Sequence, residues 1–559
     1  MRYALVLTAA ALLAPFAFAA DAAPAAGAAG PPITFQTHPL DRVLDELRAA
    51  ADIVGGEKAV KAVNKSIKDR LGEKGFEGLD LSRPLVGYVL LAPKPENITA
   101  VVALPIIGEK EFLALCDRAN GEKHRALGKG LYQLPPLDPR YKARMRFSDQ
   151  YAYIAYGANP EPALDEKALV PAQKLYDPAE RAVVAARFHF DRLTPDVKLA
   201  IPAYVAEIKK ELAGPNLDPD GTAVLKNAMP ELEKMFARYA LLLGGADTAT
   251  LRLSVDVPAS DVVIEAALAP KPNTELAKEI AARKPTGNRF AGLLTADTVI
   301  GFKTRLPFFN DELRAAGVKA LEEGVRQAGN GAGPNGKGAV DELFKGLIRT
   351  VKTGEADVAA AVRGPDKDGA FNFVGAFAFE DGTALEKEFK KFVEKDAPAD
   401  EQDRFKWDAD KAGKVNIHTY KFAGQGFLDP SKVFGGDKCT LAFAFAPKGV
   451  FVVMGPDAVA TIKDALAVKP AESPVLDVVL NPARMAKFAE KIEIGGGLET
   501  ERVLGKEDKR ISAASLRVTG GKELNVRLAL NLRTLGRAAT ADEIEGGAGP
   551  DAAEPIEKK

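Results

Sequence analysis

A hexapeptide that occurs twice constrains this chain more than any other feature: Asp45-Glu46-Leu47-Arg48-Ala49-Ala50 returns at Asp311-Glu312-Leu313-Arg314-Ala315-Ala316. The flanks repeat as well. Ile33-Thr34-Phe35-Gln36-Thr37 leads into the first copy, and Ile300-Gly301-Phe302-Lys303-Thr304 leads into the second with one gap. Each copy belongs to a unit far longer than the ~20–50 residues of a solenoid repeat, which points to duplication of a domain and not to an array.

Further matches run in the same order through both halves. The hairpin predicted over Val86 to Pro105 is answered by strands at Val358 to Val362 and Phe371 to Phe379. Phe445 to Gly455 aligns with Phe147 to Gly157 without a gap, and Val475 to Met485 answers Val183 to Leu193, keeping Arg484 opposite Arg192. Ala514-Ser515-Leu516-Arg517-Val518 answers Ala249-Thr250-Leu251-Arg252-Leu253.

Hairpins, rather than strand-helix-strand crossovers, dominate the pattern, and hairpins build antiparallel sheets. The expected fold class is therefore α+β: two tandem similar units, each of antiparallel strands covered by helices on one face, related as a pseudo-symmetric duplication. The predicted boundaries are 33–289 for the first unit and 290–536 for the second. At 559 residues the chain exceeds what one hydrophobic core usually holds, in keeping with two domains.

Within the first unit, Leu40, Val43, Leu44 and Leu47 recur at helical spacing, and Val60, Val63, Ile67 and Leu71 do so again after the Gly55-Gly56 break, predicting two consecutive amphipathic helices. Asp and Glu in a first helical turn, with Leu facing the core, account for the repeated hexapeptide without a functional role. Long helices are also expected around Ile201 to Leu212 and Leu232 to Leu243.

The two ends differ from the body. Arg2, the apolar run from Ala4 through Phe18 and the small-x-small site Ala17-Phe18-Ala19 predict a secretory signal peptide over 1–19, cleaved after Ala19. Residues 20–32 are Ala, Gly and Pro with a single Asp, a flexible linker. A disordered tail is expected over 537–559. The mature chain is expected to lack an integral membrane segment, since no later stretch offers about 18 uninterrupted apolar residues.

Charge limits the partners. Lys plus Arg number 76 against 77 Asp plus Glu, so no excess positive field exists to draw in nucleic acid or anionic lipid. The two cysteines, Cys116 and Cys439, exclude a disulfide framework by count and leave either one bridge or two buried thiols.

Catalytic signatures are sparse. His38, His124, His189 and His418 are too scattered for metal-ligand spacing, and a surface-facing or hydrogen-bonded role suits His189 and His418. No Gly-x-Ser-x-Gly elbow or Walker loop occurs. The glycine-rich stretch from Gly329 to Gly336 follows a predicted helix and contains Pro334, which suits a connecting loop and not a phosphate cradle. Acidic neighbours such as Asp45-Glu46 and Glu322-Glu323 belong to solvated helix faces.

The region from Asp396 to Asp437 stands apart. It exceeds its counterpart in the first unit and carries the sole tryptophan, Trp407, with Phe405, Tyr420 and Phe427. Aromatics on an inserted loop are candidate contacts for a partner or ligand, although a small satellite core under a long loop is the favoured explanation.

The element order, with Leu79-Asp80-Leu81-Ser82-Arg83-Pro84 ahead of an apolar strand, resembles large uncharacterised secreted proteins of planctomycete-type bacteria. The resemblance implies an exported α+β protein and brings no activity or site residue with it; the second unit lacks the Leu-Asp-Leu-x-Arg-Pro element. The expected function is an exported, non-catalytic binding or structural protein of the periplasm or cell envelope, working without a cofactor. Its partner is then an envelope protein or a small apolar ligand, with a carrier of an apolar molecule or lipid, or an envelope-polymer hydrolase, as alternatives.

Overall fold

The computed structural model describes residues 30–94, 97–135, 141–197, 244–305, 314–315, 317–322, 324–325, 336–354, 356–422, 433–491, 513–534 and 536. The chain divides into two compact units: residues up to Val257 with Val262–Ala277, and Pro258–Asp261 with Lys278 onward. Both mix helices with antiparallel sheet, the α+β class expected. The helices expected around 201–212 and 232–243 lie outside the described residues, as do the signal peptide, Gly329 to Asn335 and the tail.

In the first unit the strands are β1 (Ile33–Pro39), β2 (Pro84–Leu90), β3 (Thr99–Pro105), β4 (Arg125–Gly128), β5 (Leu131–Leu134), β6 (Lys142–Ser148), β7 (Tyr151–Gly157), β8 (Val184–His189), β9 (Ala246–Asp256) and β10 (Asp261–Pro270). They lie side by side in the order β4-β5-β6-β7-β3-β2-β1-β8-β9-β10. β2 is buried at every position, which explains its unbroken apolar run, whereas β3 alternates buried and half-buried residues.

Both faces of this sheet are covered, and not one as expected. On one face Phe35, Val89, Met145 and Ala152 pack with Phe112, Leu115 and Cys116 of helix α2 (Glu109–Asn120), the apolar stripe its spacing predicts. On the other, Val86, Tyr88, Val101 and Tyr153 meet Ala163, Leu164, Ala172 and Leu175 of an irregular segment that crosses the strands. The close packing requires Gly87 to be glycine: a Cβ there would lie 2.2 Å from Cζ of Phe35 and 2.5 Å from the Val101 carbonyl oxygen.

Helix α1 (Leu40–Leu71) breaks at Gly55 and Gly56, whose backbone angles are non-helical, so two helices meet there as the sequence predicts. Leu47 of the repeated hexapeptide does not face the core, however. It is 48% exposed: α1 buries only Leu40 fully, while Val43, Leu44, Val60, Val63, Ile67 and Leu71 are half-buried. The acidic residues of the hexapeptide are held in ion pairs, Glu46 with His38 and Arg42, and Asp45 with Arg48. Of the second copy, only Arg314 and Ala315 are described, both helical.

The second unit contains β11 (Thr286–Asn288), β12 (Thr298–Arg305), β13 (Asp357–Arg363), β14 (Asn372–Ala378), β15 (Phe405–Ala412), β16 (Val415–Lys421), β17 (Thr440–Ala446), β18 (Gly449–Gly455), β19 (Ala471–Ser473), β20 (Leu476–Leu480), β21 (Ala514–Thr519) and β22 (Leu524–Asn531). β11 and β19 pair separately. The others follow the order β15-β16-β17-β18-β14-β13-β12-β20-β21-β22, every ladder antiparallel.

Helices α3 (Gly336–Thr353) and α4 (Gly382–Asp396) supply Leu343, Leu347, Leu385 and Phe389 to one face, against Phe443 and Phe445. Helix α5 (Ala458–Ala467) covers the other, laying Ala458, Ile462 and Ala465 on Ala359, Val374, Ala442 and Val453. Cys116 and Cys439 are both buried thiols and form no disulfide, and burial pushes the Cys116 thiol up to about 12. Among the described residues no helix is long and apolar enough to cross a membrane.

Candidate functional site

The sheet of the first unit forms the floor of a cavity of about 540 Å³. Two neighbouring rungs build that floor. Thr34 of β1 lies opposite Arg187 of β8, which lies opposite Thr250 of β9; one rung on, Gln36 lies opposite Ala185, and Ala185 opposite Arg252. Residues two apart on a strand share a face, so His189 joins Ala185 and Arg187 on the cavity side.

The wall is the segment from Lys167 to Asp177, with one helical turn at Ala172–Leu175; the Tyr153 hydroxyl accepts the Ala172 N–H at 2.9 Å, and Gln36 ties down its far end. The Gln36 amide, 7% exposed, donates from Nε2 to the Asp177 carbonyl at 2.9 Å and accepts the Asp177 N–H through Oε1 at 2.7 Å. Both backbone groups of Asp177 are satisfied away from any strand, which lets this non-repetitive segment stand over the sheet.

Charge in the cavity is lopsided. Arg187, Arg192, Lys167 and Lys174 line it, against the carboxylates Asp177 and Glu180. Glu180 is already neutralised by Arg252 at 3.1 Å. Burial pushes its carboxyl up, but Arg252 and the N–H groups of Ala182 and Arg181 outweigh that and hold it below the usual carboxylate range. Asp177 reaches Arg187 only at 3.7 Å, and Arg192 donates from Nη1 to the Pro31 carbonyl at 3.2 Å.

His189 registers the resulting field. Burial, then Arg192 and Arg187, push its imidazole down to about 4, against weaker opposing pulls from Asp191 and Asp247. It is neutral at neutral pH, a hydrogen-bonding group inside a cationic site.

The aromatic residues singled out in the sequence lie elsewhere. Phe405 and Trp407 sit on β15 and Tyr420 on β16, so they occupy a paired hairpin of the sheet and not an inserted loop. The alternation of the two strands around Gly413 is what converts the extra length into sheet. Phe405 and Trp407 stack at 5.3 Å, Tyr420 lies 4.8 Å from Phe405, and Phe389 and Phe443 close the cluster. The Tyr420 hydroxyl donates to Glu401 at 2.7 Å. Phe427 lies outside the described residues.

Beneath this cluster, fully buried His418 meets Glu386 and Asp408, a trio whose ligating atoms all lie within 4.8 Å of one another. These residues could hold a metal ion by spacing, but their protons argue otherwise. Nδ1 of His418 accepts the Asp408 backbone N–H at 3.0 Å, so the proton of the neutral ring sits on Nε2, the nitrogen facing Glu386 at 3.1 Å and outside hydrogen-bond geometry. The Lys390 ammonium lies 2.9 Å from Glu386 and 3.1 Å from Asp408, in the place a metal would take. Burial and Lys390 together push the His418 imidazole down. The trio is a self-neutralised polar network; Asp408, at φ +51, sits where the β15–β16 register shifts and turns its N–H toward the ring.

His38 is paired with Glu46 at 3.2 Å and His124 with Asp117 at 2.8 Å, so neither joins a site. Sequence reasoning missed Gln36, Ala185 and Arg187 altogether. The signal that exposes them is a comparison of the two halves, where Ala185 and Arg187 stand against Asp477 and Val479.

No family model matches the chain, and no curated protein matches it either. A solved structure described as "Structure of crystal form I of TP0453" is similar at a TM-score of 0.21 and 11% identity, covering 45% of this chain and 81% of that one. A score this low carries no argument about fold or function.

Proposed function

We propose that the protein is an exported, non-catalytic binding protein made of two units derived from one duplicated unit, with its ligand in the cavity of the first. The observation that carries this reading is the cavity itself, whose volume of about 540 Å³ falls in the range of small-molecule sites and whose polar lining is built on rigid strands.

Duplication is supported rung by rung. Ile33 lies opposite Phe188 and Val89, and its sequence counterpart Ile300 lies opposite Leu480 and Val362. Phe147 pairs with Ala152 where Phe445 pairs with Val450, and Phe188 pairs with Ala249 where Leu480 pairs with Ala514. The strand orders correspond throughout. Export is supported by Arg2, the apolar run to Phe18 and the Ala17-Phe18-Ala19 site.

Four cationic side chains around the cavity speak against a carrier of a purely apolar molecule. Glu180 is held ionised by Arg252, the opposite of what a general acid in a hydrolase needs.

The test is native mass spectrometry of the mature chain purified from its own envelope fraction, alongside Thr34→Trp, which fills the cavity floor. A small molecule carried one per chain by the wild type and lost from the variant supports the reading. Retention of the same molecule by the variant, or a protein partner in its place, overturns it.

A further inference from the structure

Resting on that cavity reading, we propose that the ligand is an organic anion whose charged group is taken by Arg187 and Arg192, and that the second unit is closed to such a ligand because its own sheet supplies the anion.

The equivalent rungs make the comparison direct. Where the first unit places Gln36, Ala185 and Arg252 in one row, the second places Lys303, Asp477 and Arg517. Asp477 is 6% exposed, accepts from Arg517 at 3.2 Å and is ion-paired with Lys303 at 3.4 Å. A buried carboxylate held this way completes its own charge balance. The neighbouring row reads Thr34, Arg187, Thr250 in the first unit and Gly301, Val479, Ser515 in the second.

The first unit thus has Ala185 where the second has a sheet carboxylate, and the cation Arg187 where the second has Val479. Its wall adds Lys167 and Lys174, and Arg192 follows β8 at the mouth beside Gly30 and Pro31. Cations gathered in a partly desolvated cavity attract an anion strongly, and two guanidinium groups offer the fork geometry that carboxylate, phosphate and sulfonate oxygens accept. The volume exceeds what a bare inorganic anion fills, and Leu169, Val170 and Tyr176 give the wall apolar surface for an organic body.

The test uses two dyes of nearly the same aromatic body in fluorescence titrations of the full mature chain at constant ionic strength. One is 8-anilinonaphthalene-1-sulfonate, which carries a sulfonate; the other is N-phenyl-1-naphthylamine, which carries none. The expected result is saturable binding of the sulfonate dye, with much weaker binding of the neutral one. Arg187→Gln and Arg192→Gln should each weaken the sulfonate dye by roughly tenfold or more, the effect of removing a charged hydrogen-bond partner. Ala185→Asp, which imports the carboxylate of the second unit, should do the same, while Arg187→Lys retains most of the affinity and controls for folding.

If the neutral dye binds as tightly and the arginine variants change nothing, the cavity stands but the anion inference falls. If neither dye binds, the cavity reading falls with it. If the sulfonate dye binds the wild type and all four variants equally, it sits elsewhere and the proposal is overturned.

Discussion

Gln36 holds Asp177 by both backbone groups at once, donating to its carbonyl at 2.9 Å and accepting its N–H at 2.7 Å, across 141 residues of chain. The bridge joins a strand to an irregular segment, so no sheet ladder duplicates it. It fixes the Asp177 end of the cavity wall, as the Tyr153 hydroxyl fixes Ala172.

Gln36→Ala should therefore leave the Asp177 N–H unpaired in a half-buried setting, its carbonyl keeping only the Glu180 N–H at 3.2 Å, and cost about 1–3 kcal/mol of stability. Hydrogen exchange should quicken from Lys167 to Asp177 more than in β2 or β7. Equal quickening everywhere would show that the bridge has no local role.

Gly87→Ala places a Cβ where Phe35 and the Val101 carbonyl already lie. Overpacking of this kind costs about 1–3 kcal/mol, read as a lowered denaturation midpoint. Phe35→Leu in the same chain should recover part of the loss. In the second unit the pair Phe302 and Ala360 shows the alternative: Phe302 lies opposite an alanine and is 38% exposed, where Phe35, opposite Gly87, is 5% exposed.

Asp357 is fully buried, accepts from Arg305 Nε at 2.9 Å and takes the Arg289 N–H at 3.1 Å. Asp357→Ala should cost about 1–3 kcal/mol, since it removes the charge partner of a partly buried guanidinium that keeps the Thr286 hydroxyl and the Gly287 carbonyl. Asp357→Asn keeps the acceptor and should cost less, and urea denaturation distinguishes the two variants.

Stability should also fall in mild acid through His189. Its folded-state value of about 4 lies below the ordinary 6.5, so between those values the unfolded chain takes up a proton the folded chain refuses. The contribution is fully present above about pH 6.5 and is lost as pH falls toward about 4. Burial contributes most to this, with the facing charges Arg192 and Arg187 adding to it against Asp191 and Asp247. His189→Asn should flatten the fall by up to one proton in slope; an unchanged slope would assign it to other groups. A bound anion should raise the His189 value toward 6.5, so that the fall becomes smaller and ends at a higher pH.

Local chemistry made much of this molecule legible. The Val86 to Pro105 hairpin, the stripe of Phe112, Leu115 and Cys116, and the break at Gly55-Gly56 all follow from periods of 2 and 3.6 and from glycine's freedom, and those act over a few residues. The β15–β16 hairpin was less legible, because a longer segment with aromatics reads as a loop until its alternation about Gly413 is weighed. Leu47 misled for a related reason: helical spacing identifies a face but not whether anything is packed on it.

What the sequence by itself determined was the α+β class and most of the local elements, since those are written in neighbouring letters. Only the tertiary structure decided which side chains meet. Arg187 becomes a cavity cation because β8 pairs with β1 in the register that sets it opposite Thr34, and Gln36 becomes a tether because a distant segment crosses its strand. A one-residue slip in that register would turn each of them to the other face of the sheet, so the site is a property of long-range pairing, whose partners no local pattern names.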